Sequence, residues 1–223
     1  MTARFRMEPP GKEHESSLVH CGEDALDRYF QTQSAQGAGP CPACHHDKTR
    51  REATAHIEVI PARQTDQSIL ANLLELYAHD FSEFHDIDLG ADGRFGYKHL
   101  PLYWSEPDRH PFLVLVDCKL AGFVFVKKGS AVSVNEAVWD LAEFFVARKY
   151  RRRGIGTEIA HEVWRRFAGP WEVRVMESNR SALHFWHRAI STFRAEAVNS
   201  VRIEIDGEYW HVFAFESKGS PVA

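Results

Sequence analysis

The chain has no run approaching the roughly 20 consecutive apolar residues that a membrane-spanning helix requires, so no membrane span is expected. Its first residues, Met1-Thr-Ala-Arg-Phe-Arg, lead into Glu8-Pro9-Pro10-Gly11-Lys12-Glu13 without the apolar segment of a secretory signal. A cytoplasmic protein is the default expectation, and there its four cysteines are expected to stay reduced. Basic excess is also missing. The formal net charge is −4, whereas a surface that grips a phosphate backbone usually shows as an excess of Lys and Arg. Nucleic acid is therefore not the expected partner. Internal repeats are absent too.

What is present suits a packed domain. Hydrophobic residues make up 44% and charged residues 26%, which excludes global disorder. The 223 residues suffice for one domain of about 150 residues plus an extension. Residues 1–55 read as that extension, partly disordered, with one short helix at 23–32 carrying Leu26, Tyr29 and Phe30. Cys41-Pro-Ala-Cys44-His45, with His20-Cys21 upstream, offers ligand types for zinc. A zinc ribbon normally supplies two well-spaced pairs, and here there is one. The segment is read as a linker, with no metal expected.

From residue 56 to 223 the texture is regular. Residues 56–61 alternate as a strand does. Asp66 stands before a helix with Leu70, Leu73, Leu74, Tyr77 and Phe81 at helical spacing. An acidic loop with a short second helix is expected over 82–97. Strands are expected at 112–116, 120–126 and 137–146, a helix at 156–167, a strand at 171–176 and a helix at 181–189. Two further strands, 201–205 and 209–215, flank Asp206-Gly207, a strong two-residue hairpin signal. The order predicts a mixed α/β (α+β) sheet with helices on its faces, not a doubly wound dinucleotide fold.

The segment with most chemical character is Phe145-Val146-Ala-Arg-Lys-Tyr-Arg151-Arg152-Arg153-Gly154-Ile155-Gly156-Thr157. An apolar strand runs into a basic turn and the turn into a helix. Glycines let backbone N–H groups approach an anion. The first helical turn adds unpaired N–H groups and the positive end of the helix dipole. The pattern is that of a pyrophosphate site. Past the next strand comes Asn179-Arg-Ser-Ala182-Leu-His-Phe185-Trp186.

Val146-x-x-x-x-Arg151-x-x-Gly154-x-Gly156, followed by a helix, a strand and Asn-x-x-Ala-x-x-Phe-Trp, resembles the GCN5-related N-acetyltransferase (GNAT) family over about residues 57–216. The resemblance implies a mostly antiparallel sheet with one splayed strand pair. It implies acetyl-CoA as acyl donor, its phosphates on residues 151–157 and its pantetheine arm pairing with the backbone of Phe145 and Val146. Asn179, Ala182 and Phe185 match residues beside the lower part of the cofactor. The implied reaction is direct attack of an amine, of a small molecule or a protein, on the thioester. Homodimers are common in the family, and nothing in the sequence fixes an interface.

Glu143 is the candidate general base, since many relatives carry a catalytic carboxylate on this strand. Simple alternation puts Glu143 and Phe145 on one face, Ala142 and Phe144 on the other, and turns Asp140 away. Asp80, Glu83 and Phe84, with Tyr103 as an aromatic wall, are the candidate acceptor-binding residues. Trp186 departs from the pattern: many members have a tyrosine there that is thought to protonate the leaving thiolate. That departure keeps a non-catalytic acyl-CoA-binding module as an alternative. Residues 19–30 also resemble an early segment of toxin-type members that acetylate aminoacyl-tRNA, a further alternative.

Overall fold

The computed structural model describes residues 55–219 apart from 131 and 134. The helix expected at 23–32 and the Cys41/Cys44 pair lie outside the described residues. The elements are β1 (Ile57–Pro61), α1 (Gln67–Phe81), α2 (Leu102–Ser105), β2 (Arg109–Val116), β3 (Lys119–Lys128), β4 (Trp139–Val146), α3 (Ile155–Arg166), β5 (Gly169–Met176), α4 (Arg180–Arg194), β6 (Ser200–Ile205) and β7 (Glu208–Ser217). The strands form one sheet in the order β1-β2-β3-β4-β5-β7-β6. Every pairing is antiparallel except β4 with β5.

Alternation along the strands sorts side chains into two cores. On the front face, Leu70, Leu73 and Leu74 of α1 and Tyr103 of α2 pack against Leu113, Phe123, Phe125 and Phe145. On the back face, Ile159, Val163 and Trp164 of α3 and Trp186 and Ile190 of α4 pack against Val114, Val124, Val126, Leu141, Val173, Val175 and Phe213. The helices bury these residues because their apolar positions recur at three- and four-residue steps.

Two hairpins take the turn that matches strand twist, with both central residues at positive φ. They are Asp117 and Cys118 (50° and 59°) between β2 and β3, and Asp206 and Gly207 (53° and 83°) between β6 and β7. The short second helix lies at Leu102–Ser105, later than the 82–97 expected for it. Helix α4 runs past 189 to Arg194, because Ile190 extends its buried stripe and the chain turns left-handed only at Ala195 (φ 55°).

Candidate functional site

The basic turn forms a nest of backbone amides. Arg152 and Gly154 both adopt positive φ, 61° and 79°, between residues of ordinary backbone. That alternation curls successive N–H groups toward one point. Among the described residues, the N–H groups of Arg152, Arg153, Gly154, Ile155 and Gly156 meet no acceptor. Gly154 is the residue before α3, so the helix dipole adds to the nest. The N–H of Thr157 is outside it, donating to the carbonyl of Gly154 at 2.9 Å. Gly156 has a packing duty as well: a Cβ there would lie 3.2 Å from the Phe185 ring.

Arg151 sits differently from its neighbours. Its Nε donates to the Val146 carbonyl (2.5 Å), its Nη2 to Asp80 (2.5 Å), and its guanidinium lies over the Phe145 ring. Arg148 Nη2 holds the other Asp80 oxygen at 2.6 Å. Burial alone would raise the Asp80 carboxyl, but hydrogen bonds from Arg151 and Arg148 outweigh it and hold it below its ordinary value. Asp80, expected to face an acceptor, is thus committed to strapping α1 onto the basic turn. The Arg151 side chain is committed to the same strap rather than to the nest. Arg152 and Arg153 stay exposed.

Next to the nest the sheet opens. β4 and β5 pair only at Trp139 with Trp171 and Asp140 with Glu172. Beyond that rung, Leu141 to Val146 and Val173 to Met176 face each other unpaired. Backbone groups inside a protein need partners, so this gap suits an extended ligand with its own amides. Phe144 packs beside Phe185 and Trp186 at 5.9 Å and 4.9 Å. Trp186 is buried in the back core, also against Trp164 at 6.1 Å. Asn179 caps α4: its side chain accepts the N–H of Ala182 at 2.9 Å.

Glu143 faces the front. Tyr97 donates its hydroxyl to Glu143 Oε1 at 3.0 Å. Burial raises the Glu143 carboxyl above its ordinary value, outweighing the hydroxyls of Tyr77 and Tyr97 and the charge of Arg174. The phenols of Tyr77, Tyr97 and Tyr103 are pushed up in turn, first by burial and then by Glu143. They stay protonated beside this carboxylate. Tyr97 owes its position to Glu75 on α1, which accepts the N–H groups of Phe95 (2.8 Å) and Gly96 (3.1 Å).

One expectation about β4 is corrected. The register slips between Phe125, opposite Glu143, and Val126, opposite Leu141. Ala142 is the extra residue of a bulge, and it packs on the front core rather than the back. The bulge changes the alternation, so Asp140 shares the front face with Glu143 instead of turning away. There Asp140 Oδ2 meets Arg174 Nη2 at 2.8 Å and Lys127 Nζ at 3.5 Å.

The other expected acceptor residues divide. Tyr103 is buried beneath Phe125 at a ring distance of 4.1 Å, its hydroxyl without a hydrogen-bond partner. Glu83 is exposed and Phe84 half-buried. Their turn crosses toward the end of β5, where Ser178 Oγ donates to the Phe84 carbonyl at 3.4 Å. With the Asp80 strap at its other side, this turn spans the mouth of the β4–β5 gap. Sequence reasoning missed Arg174 and Lys127. Nothing local in either strand signals that both converge on Asp140.

Among the described residues no helix is long and apolar enough to cross a membrane, and no His, Cys, Asp or Glu group could hold a metal. No curated protein matches the chain in sequence. Three solved structures share the fold. An acetyltransferase from Thermus thermophilus is 15% identical, covering 72% of this chain and 96% of its own, with a TM-score of 0.55. Arabidopsis thaliana NAA60 in complex with acetyl-CoA is 16% identical over 74% of this chain and 100% of its own (TM-score 0.50). Spermidine N-acetyltransferase from Vibrio cholerae, in complex with CoA and spermine, is 13% identical over 72% and 95% (TM-score 0.50). The model of the acetyltransferase (GNAT) family matches residues 70–190, more than half of the 223, and takes in the nest, the opened strand pair and Glu143 alike: the chain belongs to the GNAT acetyltransferase family.

Proposed function

We propose that residues 56–223 form an N-acetyltransferase that moves the acetyl group of acetyl-CoA to a primary amine of a small molecule or protein by direct attack. The observation that carries this reading is continuity. Five unpaired amides at 152–156 open onto the β4–β5 gap, and the front side of that gap ends at Glu143. The pyrophosphate would rest on the nest, with Arg152 and Arg153 adding charge. The pantetheine amides would pair with backbone left free in the gap, Phe145 and Val146 lying along it.

The chemistry follows from the groups present. The amine nitrogen attacks the thioester carbonyl carbon, and its proton passes to Glu143. The tetrahedral centre collapses, the C–S bond breaks and the thiolate leaves. A thiol has a pKa of about 8.5, so its anion leaves without a strong acid beside it. A carboxyl raised by burial is a better base near neutral pH than an ordinary one. Coenzyme A supplies the activated acyl group; the chain supplies orientation, the base and a dry gap.

Acetyl-CoA should raise the melting temperature, because it binds only the folded state. Gly154→Ala, which forces a side chain onto a left-handed backbone, should weaken that binding about tenfold or more. No shift and no isotherm at millimolar acetyl-CoA would end the proposal. Tight binding without thiol release across a broad panel of amines would favour a non-catalytic module.

A further inference from the structure

The point where β4 and β5 part carries unspent hydrogen-bonding capacity. Asp140 is fully buried at the last paired rung, opposite Glu172. Arg174, two residues beyond that rung on β5, reaches back across the opening to Asp140 Oδ2. Lys127, paired with Asp140 from the β3 side, brings its ammonium toward the same oxygen. Two cations therefore converge on one carboxylate oxygen. The other, Asp140 Oδ1, is buried with no partner, and so is Arg174 Nε.

An Arg head carries five N–H donors and a Lys head three. Here each head makes one contact with Asp140, and both keep solvent access, with side chains 22% and 25% exposed. Buried polar groups in native proteins almost always find partners. An orphan donor and an orphan acceptor side by side call for a ligand that offers both complements. The front face brings this cluster to the Glu143 side of the sheet, and Arg174 lies close enough to act on Glu143.

We infer that this cluster is the acceptor subsite, and that the acceptor is an amine bearing a carboxylate, as an amino acid does. Arg174 and Lys127 receive the carboxylate. Asp140 Oδ1 accepts an N–H from the amine as it approaches Glu143. A polyamine has no anionic group for Arg174 and Lys127 to receive. The inference rests on the acetyltransferase reading above and gives it a substrate class.

The test uses the full chain and pairs of acceptors that differ only in the carboxylate: amino acids, their carboxamides, and the decarboxylated amines. Acetyl-CoA consumption is followed by thiol release. The expected result is a kcat/KM preference of about tenfold or more for the carboxylate-bearing member, the size of one charge-assisted hydrogen bond. Lys127→Met should shrink that preference through KM. The double variant Asp140→Asn/Arg174→Gln removes the buried carboxylate together with its arginine partner, and it should shrink the preference further, with Lys127 left as the remaining cation. Equal use of both members, or faster use of polyamines, overturns the inference. So does a double variant that stays folded, binds acetyl-CoA and keeps the preference undiminished. Failure of acetyl-CoA to bind, or of every amine to release thiol, instead removes the acetyltransferase reading and the inference with it.

Discussion

Tyr97 and Glu143 are 46 residues apart in the chain and 3.0 Å apart in the fold, the phenol donating to the carboxylate. The loop supplies the donor and the strand the acceptor, so the protonation of the candidate base depends on a segment outside the sheet. The contact makes both residues testable through pH.

Glu143→Gln should lower kcat by about two orders of magnitude or more while leaving acetyl-CoA affinity unchanged. It should also stabilise the fold at neutral pH. A carboxyl raised in the folded state keeps its proton where the unfolded chain, with a pKa of about 4.3, has lost it. Native stability therefore falls as pH rises through that window, and the glutamine variant escapes the loss. Urea midpoints of both proteins between pH 4 and 8 check the sign. A variant less stable than the parent at neutral pH would refute the buried-base picture.

Tyr97→Phe removes a donor that holds the Glu143 carboxyl down. The acid limb of the kcat/KM profile should move to higher pH, with the alkaline limb unmoved. A rate loss that is uniform across pH would instead mean that Tyr97 acts only by packing.

Asp80→Asn should show the opposite pH slope from Glu143→Gln. The Asp80 carboxyl is held below its ordinary value, so its contribution is present above the unfolded pKa and is lost as pH falls. The stability gap between parent and variant should be open at pH 7 and closed in acid. Added salt should narrow it, since Arg148 is largely exposed. A gap that persists unchanged in acid would remove the strap from the account.

Asn179→Ala should cost about 1 kcal/mol of stability by removing the α4 cap, with acetyl-CoA affinity little changed. Melting curves and a titration on the same preparation separate the two. A large affinity loss at unchanged stability would return Asn179 to the cofactor, where the family resemblance expects it.

Much of the fold was legible because its signals are local. Asp206-Gly207 dictates its turn, Leu70, Leu73 and Leu74 their helix, and the glycines at 154 and 156 the basic turn. The site was legible in part. Glu143 and the nest follow from a strand that runs into a glycine turn. The Asp80 ion pairs leave no local mark, because its partners lie 68 and 71 residues away. Asp140 was misread because a bulge arises from pairing between strands and leaves no mark in one strand's own residues. Arg174 and Lys127 carried no local signal of their convergence on Asp140.

The bulge at Ala142 has a consequence for redesign. It works as a counting device: one surplus residue sits between two acids that must look the same way. No side-chain exchange at position 142 can undo the offset, because the offset belongs to the backbone. Deleting Ala142 would straighten β4 and still leave Asp140 and Glu143 on one face, two steps apart in an ordinary pleat. A shortened chain should thus keep both carboxylates at the front, at a changed spacing. That makes deletion a way to tune the distance between the two acids without replacing either.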